Sequence, residues 1–588
     1  MTPKVRISSK VMAKLECLGT ATTGRLFGVM CDNYLTVLSF MLNPSKIENS
    51  NDEQSEPSNS QQQSDQEKQI NESNELLKPI DLQLNMPVEI DLCGVLFVDG
   101  HEENIPEAFK DIDITDNPLL IKYSRVNGIS AYYYVHEQLK SAGKLEFIDE
   151  KTLLDKFSYI RLKTSVPMIT DKHDFTELFQ STRKNIASGN VGFYFPSTKL
   201  FLTNNDPEDR DVSVKILSSN QPSVIPTGYT NTIQAEMFMR ITKEKSSDDN
   251  KKNYAPVLQH IKQPFVNYEF NLNIDSLALV GHNLTAPQIY SILVESVCRS
   301  LRLIERSIIL SSNHTIKIPE MMHFKLPHCD HLISIAYADT SAEKTREYRK
   351  KLHEALACDL TRPYFRPGNA VKFLSDYRVD QPLLEPHTAI KTSLDNSSLV
   401  SGLYGYYHYG QDNFHDSGWG CAYRSLQTIF SWFRFQGYTE QAVPSHRAIQ
   451  KCLVDIGDKS SSFIGSSQWI GSTEVGFVLE TLLNINSKFL VASSGKDMPD
   501  LVDDLRYHFQ TQGTPVMIGG GVLAHTILGV SYDENKQLPY WLILDPHYEG
   551  KENLSIVLEK GYCGWKGKDF WRKDAFYNMC LPQRPICY

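Results

Sequence analysis

No stretch of this 588-residue chain approaches the run of about 18 apolar residues that a membrane-spanning helix needs. The N-terminus, MTPKVRISSKVMAKLECLGT, lacks the unbroken apolar core of a secretory signal. Excess positive charge is missing too. Sixty Lys and Arg against seventy Asp and Glu leave a net charge of −10, which gives no basic footprint for nucleic acid. The eleven cysteines contain no Cys-x-x-Cys pair, and an odd, scattered set excludes a disulfide framework or a zinc ribbon. These absences together predict a chain that stays in the cytosol, where thiols are kept reduced. Sequons such as Asn283-Leu284-Thr285 are then chance matches, and each cysteine starts as a small buried hydrophobe.

What is present is ordinary for a globular protein: 41% hydrophobic and 22% charged residues. The length exceeds what one hydrophobic core sustains, so two to four domains are expected. Alternating apolar and polar positions on either side of Cys31-Asp32-Asn33 predict a hairpin within residues 5–42. Residues 44–78 have almost no aromatic or β-branched content and predict a disordered insert. A second charged loop spans 243–253. Thr285, Pro287 and the apolar series Ile289, Leu293, Val297 and Leu301 predict a helix over 285–305. Thr340-Ser341-Ala342-Glu343 reads as a capping box for a charged helix running to about Cys358. The Pro-bearing stretch 363–386 reads as a linker.

Chemistry concentrates in the last third. His415-Asp416-Ser417-Gly418-Trp419-Gly420-Cys421 leads into Leu426, Ile429, Phe430 and Phe433 at helical spacing, with Gly437 as a stop. Cys421 is therefore expected in the first turn of a buried helix, where unpaired amides and the helix dipole favour a thiolate. Flanking glycines let a substrate backbone approach and free the Cys421 N–H for an oxyanion. The lead into a capped helix points to a papain-like cysteine protease with Cys421 as nucleophile.

Such an enzyme needs an imidazole beside the thiol and a group that fixes its tautomer. Two histidines compete. His525 lies in an apolar strand and is followed by Asp545, which mimics the familiar order of base and then orienter. His547 sits two residues after Asp545, so on an extended segment both side chains project from one face. Pro546 places that pair at a strand end or edge. Spacing leaves both arrangements open. For the oxyanion donor, Tyr409 and Gln411 both stand at suitable distances before Cys421, with Gln411 the default, while Tyr404, Tyr406 and Tyr407 read as packing residues.

Four motifs in order over about 190 residues carry a family resemblance: HDSGWGCAYRSLQT at 415–428, QWIGSTEV at 468–475, AHTILGV at 524–530 and LDPHY at 544–548. Together they resemble the ubiquitin-fold-modifier-specific proteases, and the long N-terminal region resembles that of the larger, second type. The resemblance implies catalytic Cys421, an Asp545-Pro546-His547 box and an oxyanion tyrosine at Tyr409, in place of Gln411. Trp419, Gly420, Trp469 and His525 are the candidate substrate-side residues, with Trp419 over the tail channel and Trp469 toward the modifier. The implied reaction is cleavage after the C-terminal glycine of the ubiquitin-fold modifier, maturing the precursor and releasing the modifier from its conjugates.

Autophagy-type cysteine proteases share the Gly-Trp-Gly-Cys lead and the Asp-Pro-His box and are the alternative; a scaffold for membrane-protein trafficking is another. The family also implies a partner membrane protein at the endoplasmic reticulum. The N-terminal region resembles an MPN-type scaffold, but none of the seventeen histidines forms the His-x-His pair of a working metalloprotease of that type, so no cofactor and no metal is expected. The group His323, His328, Cys329 and His331 reads as packing. The expected fold class is α+β, with an MPN-like scaffold over 1–185, a second N-terminal region and linker over 186–385, and a papain-like protease domain over 386–588.

Overall fold

The computed structural model describes residues 2–43, 77–110, 112, 118–170, 175–222, 225–240, 268–310, 317–341, 343–378, 381–391, 394, 396–533 and 538–588. The insert expected at 44–78 falls almost wholly outside the described residues, and the charged loop at 243–253 entirely so. The chain forms two compact units, Met1–Ser223 with Asn231–Asp359, and Leu360–Tyr588 with Val224–Thr230.

The first unit holds two mixed sheets. An eight-stranded sheet is built on the antiparallel pairing of Thr22–Cys31 with Tyr34–Leu42, where the turn residues Asp32 and Asn33 take φ of 49° and 62°. Buried Val5, Ile7, Leu26, Val37, Leu96 and Ile121 form its core. A five-stranded sheet centres on the fourteen-residue pairing of Phe157–Thr170 with Tyr268–Gly281. The helix Ala286–Leu310 packs on it through Ile289, Leu293, Val297 and Leu301, all fully buried or nearly so. A boundary at 185/186 would pass through the helix Thr176–Ala187, whose Phe179 and Ile186 belong to this second core.

The charged helix is shorter than its capping box suggested. It runs Arg346–Ala355 from Thr345, because Asp339 accepts the Ser341 amide at 3.0 Å and holds Lys317 and Lys344, which turns the chain before the helix starts. His323, His328 and His331 point to separate partners: Ser334 Oγ at 2.9 Å, Leu356 O at 2.7 Å and Ser39 Oγ at 2.7 Å.

The second unit is the α+β body that carries the chemistry. Its helices are α1 (Cys421–Phe435), α2 (His446–Asp455), α3 (Ser472–Leu483), α4 (Val502–Thr511) and α5 (Leu554–Glu559). Its strands are β1 (Ser487–Ala492), β2 (Val516–Gly520), β3 (Leu523–Asp533), β4 (Leu538–Leu544), β5 (Cys563–Lys566) and β6 (Tyr577–Pro582). They form an antiparallel sheet in the order β1-β6-β2-β3-β4-β5, and Ser398–Leu399 pairs with β3.

Helix α1 is the keystone. All twelve residues from Ala422 to Phe433 are buried, so it is a core helix enclosed on every side. It ends as the spacing predicts, with Gly437 at φ +78° just past the last turn. The stretch 363–386 differs from the expected linker: Phe365, Phe373, Leu383 and Leu384 are buried, and a Cβ on Gly368 would lie 2.4 Å from Arg434 O on α1. Apolar residues between the prolines tie it into the second unit. Among the described residues no helix is long and apolar enough to cross a membrane.

Candidate active site

Gly420 ends the approach to α1, and Cys421 is the first helical residue. Only glycine fits at 420, since a Cβ there would meet the Asp416 side chain at 2.6 Å. Gly418, with φ +83°, makes the turn before it. The approach is pinned from beneath by a buried network. Asp416 accepts from Arg424 Nε at 2.6 Å and from the Gly410 amide at 2.9 Å, and His446 Nε2 lies 3.0 Å away. Burial pushes the Asp416 carboxyl up, but His446 and Arg424 overcome this and hold it at about 2. Arg424 also donates to Gln411 O at 3.1 Å. One carboxylate therefore fixes both the loop bearing Tyr409 and the start of α1.

Strand β4 delivers the partner groups. It stops at Leu544, and Asp545-Pro546-His547 follows at once, with the proline outside the ladder where its missing N–H costs nothing. Asp545 Oδ1 accepts from His547 Nδ1 at 2.5 Å and from the His547 amide at 3.0 Å. A carboxylate can only accept, so Nδ1 carries a proton and Nε2 faces the reaction. That Nε2 is buried with no hydrogen-bond partner among the described residues, and the neighbouring Cys421 favours the protonated ring. The Tyr409 amide donates to Pro546 O at 3.0 Å, and its ring stands edge-on to His547 with centroids 5.3 Å apart.

Burial alone would push the Cys421 thiol up. The adjacent His547 imidazole and its charge, with the Ala524 amide and the Tyr409 hydroxyl, carry it below the ordinary thiol value instead. Burial would likewise lower His547, but Asp545 and the thiolate raise it to about 9. Both shifts favour a thiolate–imidazolium pair. Burial and the adjacent Cys421 push the Tyr409 phenol well up, so it remains a proton donor, and the Cys421 amide reaches the same oxygen. The tyrosine hydroxyl and the helix-start amide thus lie together beside the sulfur, two donors that an oxyanion formed there can draw on.

His525 lies close but differently. On β3, its Nε2 is 4.0 Å from Asp545 Oδ1, beyond a hydrogen bond, and its ring is 5.3 Å from that of His547. Burial drives it down to about 4, so it is neutral. The ligand atoms of His525, Asp545 and His547 lie within 4.8 Å of one another, a spacing a cation can use, but one nitrogen of His547 and the carboxylate are committed to each other.

Gln411 is not brought to the sulfur. Its amide donates to Tyr406 O at 3.1 Å and to Glu552 Oε1 at 2.6 Å, while its carbonyl accepts the His408 amide at 3.0 Å. Tyr404 and Tyr406 are fully buried, and Tyr406 donates to Asp545 O at 2.5 Å.

Trp419 is half-buried against Tyr423, Phe414 and His446, whereas Trp469 is 57% exposed. Both line a cleft of about 220 Å³ that also takes in Cys421, Leu523 and Ala524. Sequence reasoning missed Arg424, His446 and Glu552. Asp416 and Arg424 sit in a motif already singled out, and two opposite charges flanking an apolar helix start were the available signal.

Three family profiles match. Residues 395–580 match "Peptidase family C78", 1–153 match "Insect UFM1-specific protease N-terminal MPN-like domain", and 218–377 match "Ubiquitin-fold modifier 1 specific protease 2, N-terminal". The "Probable Ufm1-specific protease 2" of Drosophila melanogaster is 35% identical over a 636-position alignment that covers 100% of each chain. The human "Ufm1-specific protease 2" is 48% identical over 319 residues, covering 53% of this chain and 68% of that one. The crystal structure of UfSP from C. elegans superposes over the whole of both chains with a TM-score of 0.69 at 23% identity, a likeness of fold.

Proposed function

This chain belongs to the Ufm1-specific protease 2 family, and from that premise we propose that it cleaves after the C-terminal glycine of the ubiquitin-fold modifier, both in the precursor and in conjugates on target proteins. It is a cysteine protease acting on a ubiquitin-like modifier. The observation that carries the assignment of roles is the 2.5 Å bond from His547 Nδ1 to Asp545 Oδ1, which leaves a buried, unpartnered Nε2 beside a thiol held below its ordinary range.

Cys421 attacks the glycyl carbonyl as a thiolate. The oxyanion is held by the Tyr409 hydroxyl and the Cys421 amide, donors that gain most as charge builds on the oxygen. His547, oriented through Nδ1 by Asp545, gives its Nε2 proton to the leaving amine. Water then attacks the thioester, with His547 as base, and Cys421 leaves as thiolate. Gly420 lets the approach to α1 close over Asp416 and so sets the sulfur at the cleft, Trp419 and Trp469 line that cleft, and neutral His525 walls the site behind Asp545.

The cellular setting follows from the family resemblance alone: a cytosolic enzyme recruited to the endoplasmic-reticulum surface by a membrane-protein partner. The substrate assignment is tested with a panel of ubiquitin-like proteins carrying C-terminal electrophiles. Labelling of Cys421 by the ubiquitin-fold modifier and not by autophagy-type modifiers is the expected result; preference for another modifier overturns the assignment.

A further inference from the structure

The hairpin joining β2 to β3 has a two-residue turn, Gly521-Val522, between the paired residues Gly520 and Leu523. Both turn residues have positive φ, +57° and +73°. Such turns favour Asn-Gly or Gly-Gly, because a side chain at positive φ crowds the backbone. A β-branched residue there is a marked outlier. Val522 nevertheless occupies the second position, and its side chain is 66% exposed. Packing therefore does not account for it.

Its place in the unit does offer an account. Val522 and Leu523, the latter 47% exposed, lie on the wall of the cleft that contains Cys421, and Trp469 lines the same cleft. Three large apolar side chains standing in water around one cleft mark a binding surface. Leu523 is followed by Ala524, the residue whose amide reaches the sulfur. At about 3.3 Å per residue along a strand, Val522 stands roughly 7 Å up-cleft from Ala524. A substrate tail entering in extended form would be two or three residues short of its scissile bond at that level.

We propose that Val522, with Leu523, is a specificity-determining residue that packs on an apolar side chain of the substrate tail just upstream of the scissile glycine, the strained turn being kept for that contact. The proposal rests on the ubiquitin-like-protein reading of the site. It predicts a separation of binding from chemistry, since the turn adds contact area without touching the reacting atoms.

The test uses the full chain and whichever ubiquitin-like protein labels Cys421, fused at its C-terminus to a reporter. Failure of the modifier assignment therefore leaves the comparison intact. Val522→Thr keeps the branching and the strain but removes apolarity, while Val522→Asn suits positive φ and is polar. Each is expected to raise KM about tenfold with kcat within twofold, the loss expected for one aliphatic contact. Val522→Ile should stay within twofold of wild type in both. Val522→Asn should also melt no lower than wild type, because the turn is relieved. Unchanged KM in the Thr and Asn variants, a fall in kcat in place of the KM effect, or a Val522→Ile variant as impaired as Val522→Thr would overturn the proposal.

Discussion

Two neighbourhoods among the described residues, each with a cysteine, an aspartate and histidine, behave in opposite ways. In the first unit, Cys329, Asp330 and His331 are consecutive and buried. Burial drives the Cys329 thiol up to about 12 and the His331 imidazole down to about 4, so both are neutral. In the second unit, burial presses Cys421 and His547 in those same directions, yet the thiol falls and the imidazole rises to about 9. The difference is pairing. The two ring nitrogens of His331 lie at hydrogen-bond distance from Leu332 O and Ser39 Oγ. His547 spends one on Asp545 and keeps the other for the sulfur. Composition is shared; a preorganised charge partner is not.

The sharpest way to break this contrast is substitution of the two cysteines. Cys421→Ala should lose on the order of 10⁴-fold or more in kcat/KM, since it removes the thiol that forms the covalent intermediate. Cys329→Ala should leave turnover of a modifier fusion within about twofold. Removing the orienter comes next: Asp545→Asn is expected to cost roughly 10³–10⁴-fold in kcat by allowing the wrong tautomer of His547. Tyr409→Phe should cost on the order of 10²–10³-fold in kcat with little change in KM, as for one oxyanion donor. A near-unchanged rate would remove Tyr409 from that role.

The smallest effect concerns the scaffold beneath the site. Asp416 has a folded value of about 2, below an unfolded value near 4. Its stabilisation is therefore present above about pH 4 and lost as pH falls through about 2. Asp416→Asn should remove on the order of 2 kcal/mol at neutral pH and flatten that acid limb, as read by denaturant unfolding at several pH values.

Much of the site was legible in the sequence because it is local. Gly418, Gly420 and the apolar series after Cys421 specify a helix start through steric and periodic rules that act within twenty residues. The Asp545–His547 pairing is likewise local, two positions apart at the end of a strand. Spacing alone favoured Gln411 over Tyr409 because its partner, Glu552, lies 141 residues away, and no local rule announces a buried carboxylate that captures an amide. The choice between His525 and His547 was open for a related reason. Both approach Asp545, and only the distances of 4.0 and 2.5 Å and the direction of each ring separate them. In the N-terminal unit the helix Ala286–Leu310 and the hairpin about Asp32-Asn33 followed from periodicity and turn chemistry. The start of the helix at Arg346 did not, because Asp339 and its lysines override the cap upstream.

The central claim is that His547, and not His525, makes Cys421 a thiolate. The most direct measurement is the rate of Cys421 alkylation by iodoacetamide between pH 4 and 10, in wild type, His547→Asn and His525→Asn. Wild type and His525→Asn should both react on a plateau that begins below the ordinary thiol range. The His547→Asn profile should move up to that range or beyond. Loss of the low-pH plateau in His525→Asn with its retention in His547→Asn would contradict the account.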